Sequence, residues 1–373
     1  MRKIGMIFAM SMGLMLVACH DKNPAEDPKT NPTTDTTTPI VDTTAQVVDT
    51  ISSENIVKIV YDGTTAQVSV PQNLLRYLTI AQSGAHVSIT QSSDLADEIT
   101  YTLSGNSSNG GFYMSGSYKA TIELNGLTLT NVSATYSGAA VHVQNGKRIK
   151  VKVITGTTNT LVDAANGSQK GCLYIKGHAE FAQKGTLNVT GKTNHGIKTG
   201  EYFSTKNATI NVLSAVGDGI NCAQYFLMES GTINISGVGD DGIQCDIDDT
   251  TTGSTGQTTD HEDEDSGNIY VQGGTLQINC EYKVIKAEKD LYVTDGIIHV
   301  TSNAAASSGG NPWGGGGSSQ KLVVYTSSTP TLKSGVTAGG TEIFGGQAYY
   351  PATATGGSNV TLSNYSSSGG GPW

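Results

Sequence analysis

Between residues 185 and 300 apolar and polar residues alternate in five-residue runs that return at a constant interval. "GTLNV" begins at Gly185, "ATINV" at Ala208 and "GTINI" at Gly231, each 23 residues after the last, and "GTLQI" at Gly274 and "GIIHV" at Gly296 continue the series. Period-two alternation puts Ile233 and Ile235 on one face and Thr232 and Asn234 on the other, as in a strand with one side buried. A second column holds Gly196-Ile197, Gly219-Ile220, Gly242-Ile243 and Val284-Ile285, and a third holds "EYFSTKN", "QYFLMES", "NIYVQGG" and "DLYVTDG". Each unit therefore carries three short strands separated by glycine or polar turns.

A fixed interval of this size marks stacked repeats. It predicts an all-β fold, a parallel β-helix in which three short strands make each coil and successive coils lie about 4.8 Å apart. Ile197, Ile220, Ile243 and Ile285 form one inward column, and the small residues Thr199, Cys222, Cys245 and Ala287 form its neighbour. A leucine-rich repeat would need L-x-x-L-x-L spacing, which is absent, and a nonapeptide calcium roll would need a shorter period. Upstream, "VKIVYDGTTAQVSV", "EITYTLSG" and "ATIELNGLTLTN" alternate without a constant interval and read as irregular early coils with an N-terminal cap. The glycine-rich "SSGGNPWGGGGSSQ" and "SSSGGGPW" read as C-terminal loops.

Charge and composition narrow the function classes. A formal net charge of −10 argues against a nucleic-acid partner, which would need clustered Lys and Arg. Cys172, Cys222, Cys245 and Cys280 have no C-x-x-C spacing, so no zinc site is implied, and stacked Cys222 and Cys245 form either an internal ladder or a disulfide. The N-terminus runs from Met1-Arg2-Lys3 through an apolar stretch to Leu16-Val17-Ala18-Cys19, which resembles a bacterial lipoprotein signal. That resemblance implies removal of residues 1–18 and a lipid anchor on Cys19. A plain secretory signal is the alternative. Residues 19–50, rich in Thr, Pro and Asp, read as a tether, and residues 51–373 as the folded domain. The expected location is the cell envelope, at the surface of the outer membrane.

"DGTTAQVSV", "GTTNTLVD", the stretch from "KTNHGIKTGEYF" to "GVGDDGIQCD", and "VIKAEKDLYVTDGIIHV" together resemble the carbohydrate-binding domain family of bacterial surface lipoproteins. The resemblance covers roughly residues 55–365. It implies a pectate-lyase-like right-handed parallel β-helix that binds cellulosic or acidic plant polysaccharide, with bound calcium.

The residues themselves point to a cation as well. His195, Asp218 and Asp241 align in successive units with Asp240 beside them, and ionised neighbours on adjacent coils repel unless a positive charge stands between. Calcium takes six to eight oxygen ligands, so Asp218, Asp240 and Asp241, with Asp246 and Asp248, are the candidate ligands of a Ca2+ ion. The alternative is that Asp-Gly pairs here are ordinary turns. The step from Gly231 to Gly274 is 43 residues rather than 23, which predicts an acidic insertion near 246–268 containing "DHEDED".

For polysaccharide, the outward row Lys198, Asn221, Gln244 and Lys286 offers polar and cationic groups, Tyr202 and Tyr225 offer rings, and the threonine and asparagine ladders offer a flat polar face. Trp313 and Trp373 are further platforms. Were the chain a calcium-dependent polysaccharide lyase, Lys286 would be the candidate base, and it would have to be largely neutral. Lyases of this kind commonly use an arginine too, and none follows Arg148. The balance therefore favours binding without catalysis. A surface adhesin or spacer is the third reading.

Overall fold

The computed structural model describes residues 46–49, 54–247, 266–280, 283–293 and 297–300, with short strands at 323–326, 331–332, 342–344 and 347–349. The signal segment with Cys19, the tether up to residue 45, Asp248, most of the acidic insertion, Trp313 and Trp373 lie outside the described residues. No helix among the described residues is long and apolar enough to cross a membrane.

Among the described residues the strands fall into two sheets, one of 18 and one of 12. Parallel pairing dominates both, and antiparallel pairing near the start of the chain is confined to hairpins such as Ile56–Asp62 with Thr65–Pro71 and Leu78–Ser83 with Ala85–Gln91. This topology corrects the right-handed parallel β-helix expected from the sequence. The long strand Ala120–Thr130 pairs through its first half with Ile149–Val153 and through its second half with Thr158–Val162. Two columns that the sequence period separates are thereby one continuous sheet. No pairing between the two sheets closes the structure among the described residues.

Glycine makes these long strands possible. Ile99–Ser107 and Ala120–Thr130 bend at Gly105 (φ +83°) and Gly126 (φ +71°), a backbone region that L side chains avoid. At Gly105 a Cβ would also lie 2.1 Å from the Tyr61 carbonyl oxygen. From Ile149 onward each unit contributes two strands to the larger sheet and one to the smaller. Gly171–Ile175, for example, joins the smaller sheet, and Ala179–Ala182 and Thr186–Gly191 join the larger.

The predicted columns stack in register. Ile197, Ile220, Ile243 and Ile285 pair successively, as do Cys222, Cys245 and Ala287. Inner residues of both sheets merge into one apolar cluster, each buried Ile or Phe contributing about 1.5–3 kcal/mol. Phe181, Phe203 and Phe226 stack at centroid separations of 4.9 and 5.1 Å. Cys222 and Cys245 are buried and paired in register without a disulfide between them, as in an internal ladder.

Candidate functional site

The smaller sheet presents an outward row that crosses its strands. Strands His195–Thr199, Ile220–Cys222, Ile243–Cys245 and Lys283–Ala287 bring Lys198, Asn221, Gln244 and Lys286 into successive register, as the sequence predicted. The row also continues upstream. Tyr174 pairs with Lys198, His142 with Tyr174, and Tyr113 with His142. Sequence reasoning missed these three residues. Their phase was readable in "GFYMS", "AVHVQ" and "GCLYI", where apolar neighbours alternate with them, but unequal connections between the strands hid the alignment.

Behind this row lies the acidic corner. It depends on the Gly-Ile pairs, because a Cβ on Gly219 would sit 2.6 Å from Ile235 Cγ2 and 2.7 Å from the Gly242 carbonyl oxygen. Only glycine lets the corner pack this closely. The preceding side chains then reach one unit onward: the Asp218 N–H meets His195 Nδ1 at 3.0 Å, and the Asp241 N–H donates to Asp218 Oδ1 at 3.1 Å. Carboxylate oxygens of Asp218, Asp240 and Asp241 lie within 4.8 Å of one another. Asp218 and Asp241 are buried, whereas Asp240 is exposed.

A hydrogen-bonded chain links the row to this corner. Lys198 Nζ donates to Asn221 Oδ1, and Asn221 Nδ2 donates to Asp218 Oδ2 at 2.7 Å. Burial alone would raise the Asp218 carboxyl, but hydrogen bonds from His195, Asn221 and the Asp241 N–H, with the nearby imidazole charge, hold it below the usual carboxylate range. The two lysines diverge. Burial pulls the Lys198 ammonium below its ordinary value despite the opposing charge of Asp246. Burial acts the same way on Lys286, yet the Glu288 hydrogen bond at 2.8 Å and the charges of Glu288, Asp241 and Asp246 raise it. Asp246 also accepts a hydrogen bond from Gln244 Nε2.

Tyr202 and Tyr225 lie elsewhere, in a stack along the larger sheet. Tyr202 is buried between His178, at 4.3 Å, and Tyr225, at 4.7 Å, and its hydroxyl donates to Glu180 at 2.8 Å. Neither face of the Tyr202 ring is open, and Tyr225 meets the edge of Tyr270 on its other side. The asparagine ladder is likewise engaged internally: Asn211 donates to Asn188 and Asn234 to Asn211, each at 2.8 Å. Arg148 pairs with Glu98 and Glu180.

Residues 83–349 match the family described as carbohydrate-binding domain-containing protein. The chain belongs to that family. A solved structure, the polysaccharide lyase-like protein from C. thermocellum in its gadolinium derivative, is similar at a TM-score of 0.55 and 20% identity, covering 75% of this chain and 97% of that one. At that identity the likeness speaks for a shared fold. No curated protein matches the sequence. Family membership makes polysaccharide the general ligand class of the chain.

Proposed function

We propose that the chain is a non-catalytic, cell-envelope polysaccharide-binding protein, anchored through Cys19, whose outward row on the smaller sheet takes a cellulosic or uronate-containing glycan with calcium at the acidic corner. The observation that carries the reading is the family match over residues 83–349. Three carboxylates with oxygens within 4.8 Å fit a hard divalent cation, although both Asp218 oxygens already accept hydrogen bonds and would share their remaining lone pairs. A bound cation would neutralise this corner and accept a uronate carboxylate there. Lys198 and Lys286 supply positive charge in the row and Gln244 a partly exposed amide, while the buried Asn221 links Lys198 to Asp218.

Absence of catalysis is supported by Lys286 itself. A general base must be neutral at working pH, and the acids around Lys286 keep it charged. One observation favours the lyase reading instead: Lys198, in the same row, is displaced toward neutrality. Incubation with polygalacturonate and calcium, followed by ultraviolet absorbance of unsaturated product, separates the two. We expect none, and product that disappears in Lys198→Ala would establish the lyase.

Binding is tested by retention of the chain on insoluble cellulose and on pectate, with and without a chelator. Retention on pectate that the chelator abolishes is the expected result. No retention on either matrix in any condition removes the reading and leaves the adhesin or spacer.

A further inference from the structure

Lys198 differs from other lysines of the strands in what its side chain meets. Lys152, Lys206 and Lys286 form ion pairs with Glu123, Glu229 and Glu288 at 3.0, 2.6 and 2.8 Å. Lys198 meets an amide instead. Its Nζ donates to Asn221 Oδ1 on the adjacent strand, and strand pairing places the two residues directly in register.

The Asn221 amide is held from both ends. A lysine ammonium only donates and a carboxylate only accepts, so the amide oxygen must face Lys198 and the amide nitrogen must face Asp218. Asn221 Nδ2 donates to Asp218 Oδ2 at 2.7 Å, and Asp218 Oδ1 accepts the Asp241 N–H at 3.1 Å. Asn221 and Asp218 are buried and Lys198 is partly so, which limits competition from water. Burial also lowers the Lys198 ammonium, with Lys170 adding to the effect against the charges of Asp246 and Asp218. An amine, a carboxamide and a carboxylate able to carry a proton therefore stand in line.

We propose that Lys198 and Asn221 join in an intramolecular isopeptide bond that ties strand His195–Thr199 covalently to strand Ile220–Cys222. The neutral Lys198 amine adds to Asn221 Cγ, and the Cγ–Nδ2 bond breaks. The surplus proton on Nζ passes to the departing nitrogen through Asp218 Oδ2, which already holds that nitrogen. One secondary amide forms and one ammonia leaves, so no oxidant or other reactant takes part. Fixing both groups on paired strands supplies the proximity that free amines and amides lack, and desolvation makes the lysine a better nucleophile. The lysines paired with glutamates stay as they are, because a carboxylate repels the attacking electron pair and has no amine to release. This bond is independent of the polysaccharide-binding reading. In the linked chain Lys198 is an uncharged amide, which leaves Lys286 as the cation of the predicted row and removes Lys198 from the lyase alternative.

The test is peptide mapping of the full, folded chain by mass spectrometry. In the wild type the peptide carrying Lys198 is expected to be attached to the one carrying Asn221, lighter than their sum by one ammonia, with no tryptic cleavage after Lys198. Lys198→Arg and Asn221→Ala should give separate peptides. Asp218→Ala keeps both reacting groups and should lose most of the link; a full yield there overturns the proton route. The link joins residues 23 apart, so the wild type is also expected to melt several degrees above Lys198→Arg. Separate wild-type peptides, from fresh and aged protein alike, overturn the proposal. Ammonia loss confined to a single peptide overturns it too, because that marks an asparagine closing on its own backbone. The wild-type readout decides even where a variant fails to fold.

Discussion

The first third of the folded region and the repeats that follow bury the same kind of inner row by different means. In the smaller sheet Val87, Phe112, Val141, Leu173, Ile197, Ile220, Ile243 and Ile285 pair successively and are all buried. Only the last four come from segments with matching sequence. Register there is reinforced by like side chains stacked on like, as in Phe203 on Phe226 and Asn211 between Asn188 and Asn234. Upstream, long bent strands with unlike inner residues hold the same alignment through backbone pairing and shape, as where Tyr101 packs tilted against Phe112 at 5.9 Å. A constant period is thus a product of equal connection lengths and is not a requirement of the stacking.

The largest test of this contrast is Phe226→Ala. Removing the ring that lies parallel on Phe203 should cost about 3–5 kcal/mol, read as a fall in the denaturant midpoint. A loss well below that range would show that like-on-like stacking adds little in the repeats. Next come the glycines. Gly219→Ala puts a Cβ within 2.6 Å of Ile235 Cγ2 and should cost about 1–3 kcal/mol by overpacking. Gly126→Ala meets nothing within 4 Å and should lose only the roughly 1 kcal/mol set by its positive φ. Equal melting temperatures for the two variants would erase the distinction between close approach and bending.

Two buried acids sharpen the comparison through pH. Asp163, at the upstream edge of the repeats, is raised by burial despite hydrogen bonds from the Lys192 N–H and Gln169. Its folded form takes up a proton before the unfolded chain does, so this group adds stability as pH falls through the folded value. Asp218 is lowered, and its contribution is present above the unfolded value and lost as pH falls through the folded one. Melting curves between about pH 7 and about pH 3 should therefore respond in opposite senses. Asp218→Asn should flatten the acid-induced loss, and Asp163→Asn should steepen it, by a few degrees each. The smallest effect is expected from reductant. With Cys222 and Cys245 stacked as thiols rather than bridged, dithiothreitol should leave the melt unchanged.

Much of this architecture was legible in the chain. The Ile column, the row from Lys198 to Lys286 and the closeness of Asp218 and Asp241 follow from equal spacing, because residues a constant interval apart land on one another wherever the connections match. The gathering into two sheets was not legible. "ATIELNGLTLTN" reads as one alternating run, and nothing in it says that its halves will pair with different strands. Tyr113, His142 and Tyr174 escaped notice for a related reason: self-similarity is lost when connections vary, even though pairing survives. Tyr202 and Tyr225 carried the right chemistry for sugar, yet their rings serve one another.

One junction in the repeats has a practical side. The Asp246 N–H bonds to Cys222 O at 2.8 Å and the Gly267 N–H to Gln224 O at 2.5 Å, so departure and return are clamped on the same preceding unit. Strands on either side pair as though nothing had been inserted: Thr232 meets Thr275, and Ile243 meets Ile285. The alignment is indifferent to what is spliced between those clamps. A fluorescent reporter or affinity module grafted between Asp246 and Gly267 is therefore expected to leave the pairing of Ile243 with Ile285 unchanged.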